Sequence, residues 1–298
     1  RMDAHAAFTS YATLEDALRG DRDDSPYKQS LNGTWKFAWA PNPDARIADF
    51  HAPGYDASGW DEIPVPSHWQ LQRYDYPQYT NIRYPWIEHD PDLKPPFAPT
   101  KYNPVGSYIR TFTVPDAWQG QSVYISFQGV ESAFYVWLNG ELVGYSEDTF
   151  TPAEFDLTPY LIEGENKLAV EVYRWCDASW LEDQDFWRMS GIFRDVYLYS
   201  APGVRLSDYF AHAELDDDYT NGRLRLEASV EDYDGRYAGD VTVEAQLYRD
   251  GQPVLDRPLV LSGGTGADGT VKLDGAVAVD RPLQWSAEHP NLYTLALE

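Results

Sequence analysis

The chain is dominated by short runs of β-branched and aromatic residues that are separated by turn-forming residues. Runs with period-two alternation indicate strands, and several of them at regular spacing indicate an antiparallel β-sandwich. The clearest runs are TWKFAWA at 34–40, YIRTFTV at 108–114, QSVYISFQGV at 121–130 and NKLAVEVYRW at 166–175. We therefore predict an all-β fold.

Two hairpin turns are marked by dipeptides that suit a tight turn. Asn139-Gly140 lies between alternating strands in AFYVWLNGELVGYS, and Asp250-Gly251 lies in LYRDGQ. Both central positions of a type I′ turn need a positive φ, which these pairs tolerate well. TLEDALRGD near the N-terminus predicts a helix, and ESAF at 131–134 and LTPYLIEG at 157–164 are further helical candidates in connections.

A change in composition divides the chain near residue 200. Ten of the eleven tryptophans precede that point and only Trp285 follows it. We predict an aromatic-rich sandwich with an N-terminal extension at residues 1–200, and a smaller sandwich of plain alternating strands at 201–298. The final PNLYTLALE resembles the middle of a strand. We therefore expect the second sandwich to be incomplete and the chain to be part of a longer protein.

The charge of the chain excludes several partners. Lysine and arginine number 23 against 48 acidic residues, which gives a formal net charge of -25. Such a surface repels phosphate backbones and anionic lipid, so nucleic acid and membrane are poor partners. Cys176 is the only cysteine, so no disulfide joins two parts of the chain. We expect a cytoplasmic protein, since nothing in the sequence demands an oxidising compartment.

The sequence lacks the motifs of several enzyme classes. The six histidines are scattered, and none has the short spacing of a metal site. Neither a Gly-x-Ser-x-Gly elbow nor a glycine-rich phosphate loop between a strand and a helix is present. Metal-dependent hydrolysis, serine hydrolysis and nucleotide chemistry are therefore disfavoured.

Acidic residues and aromatics are combined in WLEDQDFWRMSG at 180–191. Glycoside hydrolysis needs two carboxyl groups separated by roughly 5 to 9 Å, so Glu182, Asp183 and Asp185 are candidates for a catalytic pair. With 48 acids in the chain, however, a local cluster is expected by chance. The alternative is that Arg188 pairs with one carboxylate in a loop packed by neighbouring aromatics.

Binding of a sugar explains this composition better than catalysis does. Sugars present apolar C–H faces to aromatic rings, and their hydroxyls need fixed donors and acceptors. WLEDQDFWR has this composition, and so does QYTNIRYPW in the proline-rich connection at 64–106. A connection of this length is usually functional or disordered, and its tryptophans and tyrosines argue against disorder. The aromatics could equally serve to pack the sandwich.

Seven segments in succession resemble signatures of the large microbial β-galactosidases of glycoside hydrolase family 2. They are SLNGTWKFAW, VPSHWQ, YDYPQYTNIRYPW, PPFAPTKYNPVGSY, LNGELVGYSEDTFTPAEFDLT, LEDQDFWRMSGIFRDVYL and WSAEHPNLYTL, and they are spread along nearly the whole chain. GIFRDV alone is shared with β-glucuronidases and β-mannosidases of the family, whereas LEDQDFWRMSG together with YTNIRYPW points to β-galactosidase.

The resemblance implies a jelly-roll sugar-binding domain of the galactose-binding type, then an immunoglobulin-like sandwich that is truncated here. A TIM barrel would follow and carry the two catalytic glutamates of a retaining mechanism. No catalytic residue is therefore expected in this chain, and the chain alone is expected to be inactive. The acidic cluster around Asp185 is then not the catalytic pair.

Four positions carry over from the family's motifs. Asp185 resembles the aspartate that hydrogen-bonds galactosyl hydroxyls and ligates a sodium ion, and Asn81 resembles an asparagine that lines the same pocket. Glu147 and Asp177 resemble ligands of a structural divalent cation, whose site in the family also uses an N-terminal segment that we expect this chain to lack. The intact protein is expected to use sodium and magnesium and to form homo-oligomers, whereas this chain alone is expected to bind no cation firmly.

We therefore expect a non-catalytic N-terminal part of a β-galactosidase whose loops complete the galactose pocket of a missing TIM barrel. Two alternatives stay open. One is a free-standing carbohydrate-binding protein, and the other is a parent enzyme that acts on β-glucuronides or β-mannosides.

Overall fold

Strands account for nearly all of the regular structure in the computed structural model, which describes the chain except for residues 183–184, 234, 236, 238 and 265–268. The described residues form two units. The first comprises Arg1–Met2 and Gln29–Ser200, and the second comprises Asp3–Lys28 and Ala201–Glu298.

Fourteen strands lie among the described residues of the range 28–201. They are β1 Lys28–Ser30, β2 Gly33–Ala40, β3 Asp61–Val65, β4 Gln78–Thr80, β5 Val105–Thr113, β6 Ser122–Phe127, β7 Val130–Glu131, β8 Ala133–Leu138, β9 Glu141–Ser146, β10 Ala153–Asp156, β11 Glu165–Tyr173, β12 Phe186–Arg188, β13 Gly191–Ile192 and β14 Val196–Ala201. Short 3₁₀ helices lie at Pro43–Ala45, Trp69–Gln72, Asp116–Trp118, Thr158–Tyr160 and Asp177–Trp180.

Two sheets enclose the core of the first unit. One has the strand order β3-β2-β5-β11-β8-β9 and the other the order β1-β14-β6-β10. Buried side chains from both sheets meet in one cluster, which includes Phe37 and Val170 from the first sheet and Ile125 and Leu198 from the second. Because each sheet contributes its inner face to a shared core, the unit is a β-sandwich. Two ribbons, β4–β12 and β13–β7, lie outside these sheets.

The second unit contains one helix and seven strands among its described residues. They are α1 Leu14–Arg19, β15 Val204–Leu215, β16 Gly222–Asp232, β17 Asp240–Arg249, β18 Gln252–Pro253, β19 Leu259–Gly264, β20 Thr270–Val279 and β21 Thr294–Leu297. Strands β15, β16 and β20 form one sheet, and β17 pairs with β18, β19 and β21 in another. Leu226 of β16 and Val243 of β17 lie in one buried cluster, so these sheets also share a core.

The N-terminal extension belongs with the second unit, whereas the sequence-based division at residue 200 places it in the first domain. The backbone N–H of Ala6 donates to Asp208 Oδ1 at 2.7 Å. The ring of Phe8 also meets Tyr209 edge-on, with centroids 6.0 Å apart. Such contacts join positions about 200 residues apart in the sequence, so composition alone does not reveal them.

Local sequence signals predicted most of these elements. The four strand runs correspond to β2, β5, β6 and β11, and the TLEDALRGD helix is confirmed with Thr13 as its N-cap and Gly20 at its C-terminus. Both hairpins are confirmed, with φ values of 53° and 93° at Asn139 and Gly140. The helix in ESAF is wrong, because Phe134 pairs with Val172 of β11 as part of β8. LTPYLIEG contains only the 3₁₀ turn Thr158–Tyr160.

Candidate functional site

The connection between β3 and β5 is packed onto the first unit by its tryptophans. Trp69 and Trp86 are both buried. Trp86 stacks on Tyr84 and meets Trp175 and Trp180 edge-on, with centroids 5.6 and 4.8 Å away. For these rings the packing interpretation holds, because buried faces are closed to a sugar. These tryptophans fix the loop that carries QYTNIRYPW, the second of the two segments predicted to bind a sugar.

A buried arginine joins this connection to the acidic loop. The guanidinium of Arg174 pairs with Asp75, and their side chains are 0% and 2% exposed. Arg174 also donates to the carbonyl of Tyr76 at 3.3 Å and to that of Arg188 at 3.4 Å. Tyr102 donates its hydroxyl to Asp75. A buried charge is stable only when paired and hydrogen-bonded, so these groups hold the segment before β4 against the end of β12.

The ribbon β4–β12 brings two of the predicted site residues to one end. Thr80 pairs with Phe186, and Tyr79 pairs with Trp187. Asn81 directly follows Thr80 and Asp185 directly precedes Phe186, so the two chains leave the ribbon together. Both Asn81 and Asp185 are exposed. The ribbon thereby presents the carboxylate of Asp185, which accepts hydrogen bonds, next to the amide of Asn81, which both donates and accepts. These are the groups that recognition of a hydroxyl requires.

Asp185 has a partner that sequence reasoning missed. The hydroxyl of Tyr79 donates to Asp185 Oδ1 at 2.6 Å. The bond to Asp185 raises the pKa of Tyr79, so the phenol stays protonated and acts as the donor at neutral pH. A carboxylate offers about four acceptor positions, which leaves capacity for a sugar hydroxyl or a cation. The one available signal was the position of Tyr79 in QYTNIRYPW, two residues before Asn81.

The remaining described members of the acidic cluster hold the loop. Arg188 is buried, and its Nη1 donates to the carbonyl of Glu182 at 2.8 Å. The carboxylate of Glu182 accepts the Thr149 hydroxyl at 3.2 Å, and burial raises the pKa of Glu182. Asp183 lies outside the described residues. These contacts give Glu182 and Arg188 a structural role, and Asp185 is the exposed acid among the described members of this cluster.

Glu131 is a buried carboxyl group that the sequence does not reveal, since it lies in a segment with no distinctive motif. It ends β7, which pairs with β13 beyond the acidic loop. Burial raises the pKa of Glu131 to about 8, although the charges of Arg174 and Arg188 act in the opposite direction. The ring of His68 lies beside it, with Nδ1 4.0 Å from Glu131 Oε2. The base of the loop therefore contains a carboxyl group that titrates near neutral pH.

The two residues predicted to bind a divalent cation lie close together. Side-chain ligand atoms of Glu147, Cys176 and Asp177 lie within 4.8 Å of one another. The thiol of Cys176 is a soft donor and a poor ligand for Mg²⁺ or Ca²⁺. Two carboxylates remain, which are the hard oxygen donors that Mg²⁺ and Ca²⁺ prefer. The donor set therefore fits such an ion in part, with the other ligands to come from elsewhere.

The chain belongs to glycosyl hydrolase family 2. The model of the family's sugar binding domain matches residues 28–202, and a second model, described as glycosyl hydrolases family 2, matches residues 204–298. No helix among the described residues is both long enough and apolar enough to cross a membrane.

Three curated relatives of the chain are named β-galactosidases. The chain is 58% identical over its full length to a β-galactosidase of Priestia megaterium, and it spans 28% of that protein. It is 47% identical over its full length to a β-galactosidase of Halalkalibacterium halodurans, of which it again spans 28%. A β-galactosidase of Clostridium acetobutylicum is 48% identical over 99% of this chain and is covered to 31%. The chain thus corresponds to less than a third of each relative.

Solved structures support the fold. A β-glucuronidase of Bacteroides uniformis superposes with a TM-score of 0.71 at 22% identity, over 91% of this chain and 30% of that one. A family 2 member from Bacteroides cellulosilyticus gives 0.69 at 19% identity, over 91% and 34%. At these identities the likeness concerns the arrangement of the strands and not the substrate.

Proposed function

We propose that this chain is the N-terminal, non-catalytic part of a β-galactosidase that hydrolyses terminal β-D-galactosyl residues. Its loops would complete the galactose pocket of a TIM barrel that lies elsewhere in the protein. The observation that carries the proposal is the ribbon that presents exposed Asp185 and Asn81 at one end. The identity of 58% to a protein named β-galactosidase favours galactosides over glucuronides.

In this proposal the chain binds and orients the sugar. Asp185 accepts hydrogen bonds from galactosyl hydroxyls, and Asn81 can donate and accept through its amide. Both groups select a sugar by the direction of its hydroxyls, because an unmatched polar group in a closed pocket is costly. The bond-breaking steps belong to two carboxyl groups of the barrel in a retaining mechanism.

The apolar surface beside the ribbon supports docking against the rest of the protein. Leu181 is 87% exposed and Ile82 is 89% exposed, and both lie within a few residues of the ribbon ends. The ring of Trp187 is also largely exposed. Exposed apolar patches of this kind mark interaction sites. We propose that the missing barrel is the partner that covers these side chains. For the first unit we propose a jelly-roll topology.

Cations complete the proposal. Asp185 would contribute to a sodium site at the sugar, and Glu147 with Asp177 would contribute to a structural divalent site. These ions would supply fixed positive charge near hydroxyl and carboxylate oxygens. We further propose that the protein forms homo-oligomers. We also propose that it is cytoplasmic, which is supported by the single cysteine of this chain.

The test compares two aspartates in the full-length protein. Asp185→Ala should lower kcat/KM for a chromogenic β-galactoside by roughly 10- to 100-fold, because hydrogen bonds to a charged group are lost. Asp61→Ala is the matched control, since Asp61 is also exposed and also accepts a tyrosine hydroxyl, from Tyr74 at 2.7 Å. The control should retain normal kinetics. Unchanged kinetics in Asp185→Ala would remove Asp185 from the pocket.

Two further measurements separate the alternatives. The 298-residue chain should not hydrolyse the galactoside, and turnover that Asp185→Asn abolishes would place catalysis in this chain. Micromolar affinity of the same chain for galactose by calorimetry would favour a free-standing carbohydrate-binding protein. A preference of the full-length enzyme for a chromogenic β-glucuronide would contradict the galactoside assignment.

A further inference from the structure

The hydrogen bond between Tyr79 and Asp185 is well suited to fixing a carboxylate. Asp185 is exposed, and the terminal torsion of an aspartate is broad, so its oxygens have no single direction of their own. The Tyr79 hydroxyl meets Oδ1 at 2.6 Å, the short distance typical of a bond to a charged acceptor. One oxygen is thereby held, which also orients the other.

Tyr79 is itself fixed by the strands around it. It pairs with Trp187 across the ribbon, and the two ring centroids lie 5.7 Å apart. The carbonyl of Tyr76, three residues earlier, accepts from buried Arg174. A tyrosine has only two side-chain torsions, so its hydroxyl is placed once the backbone and the ring are placed. Trp187 lies two residues after Asp185, which ties donor and acceptor to the same strand pair.

We propose that Tyr79 is a positioning residue for substrate binding, whose hydroxyl fixes the carboxylate of Asp185 in the orientation that receives a galactosyl hydroxyl. The inference rests on the proposed function, because it gives Tyr79 a role only through Asp185. The ligand class is a terminal β-galactoside. Tyr79 itself need not touch the sugar.

The experiment is a double-mutant cycle on the full-length enzyme. Tyr79→Phe removes one hydroxyl and retains the ring against Trp187. It should lower kcat/KM for a chromogenic β-galactoside by about 5- to 30-fold, the factor that corresponds to 1–2 kcal/mol. In the Asp185→Ala background the same change should have an effect within about 2-fold, because the group through which Tyr79 acts is absent. Thermal melting should be unchanged.

Tyr74→Phe is the matched control. It removes a tyrosine hydroxyl that donates to Asp61 at 2.7 Å, which is the same kind of bond outside the ribbon. Its kinetics should equal those of the unmodified enzyme.

The outcomes distinguish this inference from the proposed function. If Asp185→Ala impairs turnover and Tyr79→Phe does not, the role of Tyr79 is refuted and the proposed function stands. Equal losses from Tyr79→Phe in both backgrounds, or a drop in melting temperature that accounts for the lost activity, also refute positioning through Asp185. Normal kinetics of Asp185→Ala refute both.

Discussion

Replacing Arg174 by methionine should strongly destabilise the first unit. The change removes the guanidinium that pairs with Asp75 and that donates to the carbonyls of Tyr76 and Arg188. Methionine is close to arginine in length and fills most of the space, so loss of packing is small. The dominant cost comes from Asp75, which would lie buried with its charge unpaired.

The magnitude follows from the burial of the pair. Both side chains are at most 2% exposed, so water cannot replace the lost partner. Breaking a buried pair by removing one member costs about 3–5 kcal/mol. Asp75 retains the hydrogen bond from Tyr102, which favours the lower half of that range. Asp75→Asn in the same chain should restore part of the loss, because it removes the unpaired charge.

Urea denaturation followed by tryptophan fluorescence measures the effect. Ten of the eleven tryptophans lie before residue 200, so the signal reports on the first unit. Arg83→Met is the matched control, since Arg83 pairs with Glu88 at 2.8 Å while both side chains are more than half exposed. An exposed pair contributes about 0–1 kcal/mol. If Arg174→Met costs no more than Arg83→Met, the ion pair does not hold the loop and the argument fails.

Two more predictions concern the buried carboxyl group of Glu131 and the candidate cation site at Glu147 and Asp177. Burial raises the pKa of Glu131 from 4.5 to about 8, so the folded state holds this proton more tightly than the unfolded state does. The contribution of Glu131 to the free energy of unfolding should therefore fall as pH rises from about 4.5 to 8. Urea titrations at several pH values should show a more favourable pH dependence over this range in Glu131→Gln than in the unmodified chain, because the variant lacks this loss. Equal slopes would contradict the burial argument. Millimolar MgCl₂ should raise the melting temperature of the chain by a few degrees relative to NaCl of equal ionic strength, and Glu147→Gln with Asp177→Asn should abolish the shift. An equal shift in the double variant would exclude this site.

Sequence patterns predicted the elements whose signals are local. The hairpin at Asn139 and the cap at Thr13 depend on neighbouring residues only, and both were recognised. The helix predicted in ESAF was wrong because the conformation of this segment is set by pairing with β11, some 38 residues away along the chain. Residues 3–28 were assigned to the first domain for the same reason, since their contacts lie about 200 residues further on.

The candidate site also combines features that depend on neighbouring residues with features that depend on distant contacts. Asp185 and Asn81 were identified from motifs, and the ribbon places them at one end. Tyr79 and Asp185 are 106 residues apart, and Asp75 and Arg174 are 99 apart, so no sequence window contains either pair. The raised pKa of Glu131 depends on burial, which a short strand next to a serine does not reveal. The residues proposed to bind a sugar could be named from motifs, whereas the residues that hold them in place could not.

The guanidinium of Arg174 joins two loops that would otherwise have to be ordered separately. Ordering a flexible residue costs about 1–2 kcal/mol of conformational entropy. Because the link is made inside the folded unit, that cost falls on folding and not on the encounter with a ligand. Under the proposed function, the loops are preorganised before the sugar binds, and more of the contact energy of Asp185 and Asn81 remains available as affinity.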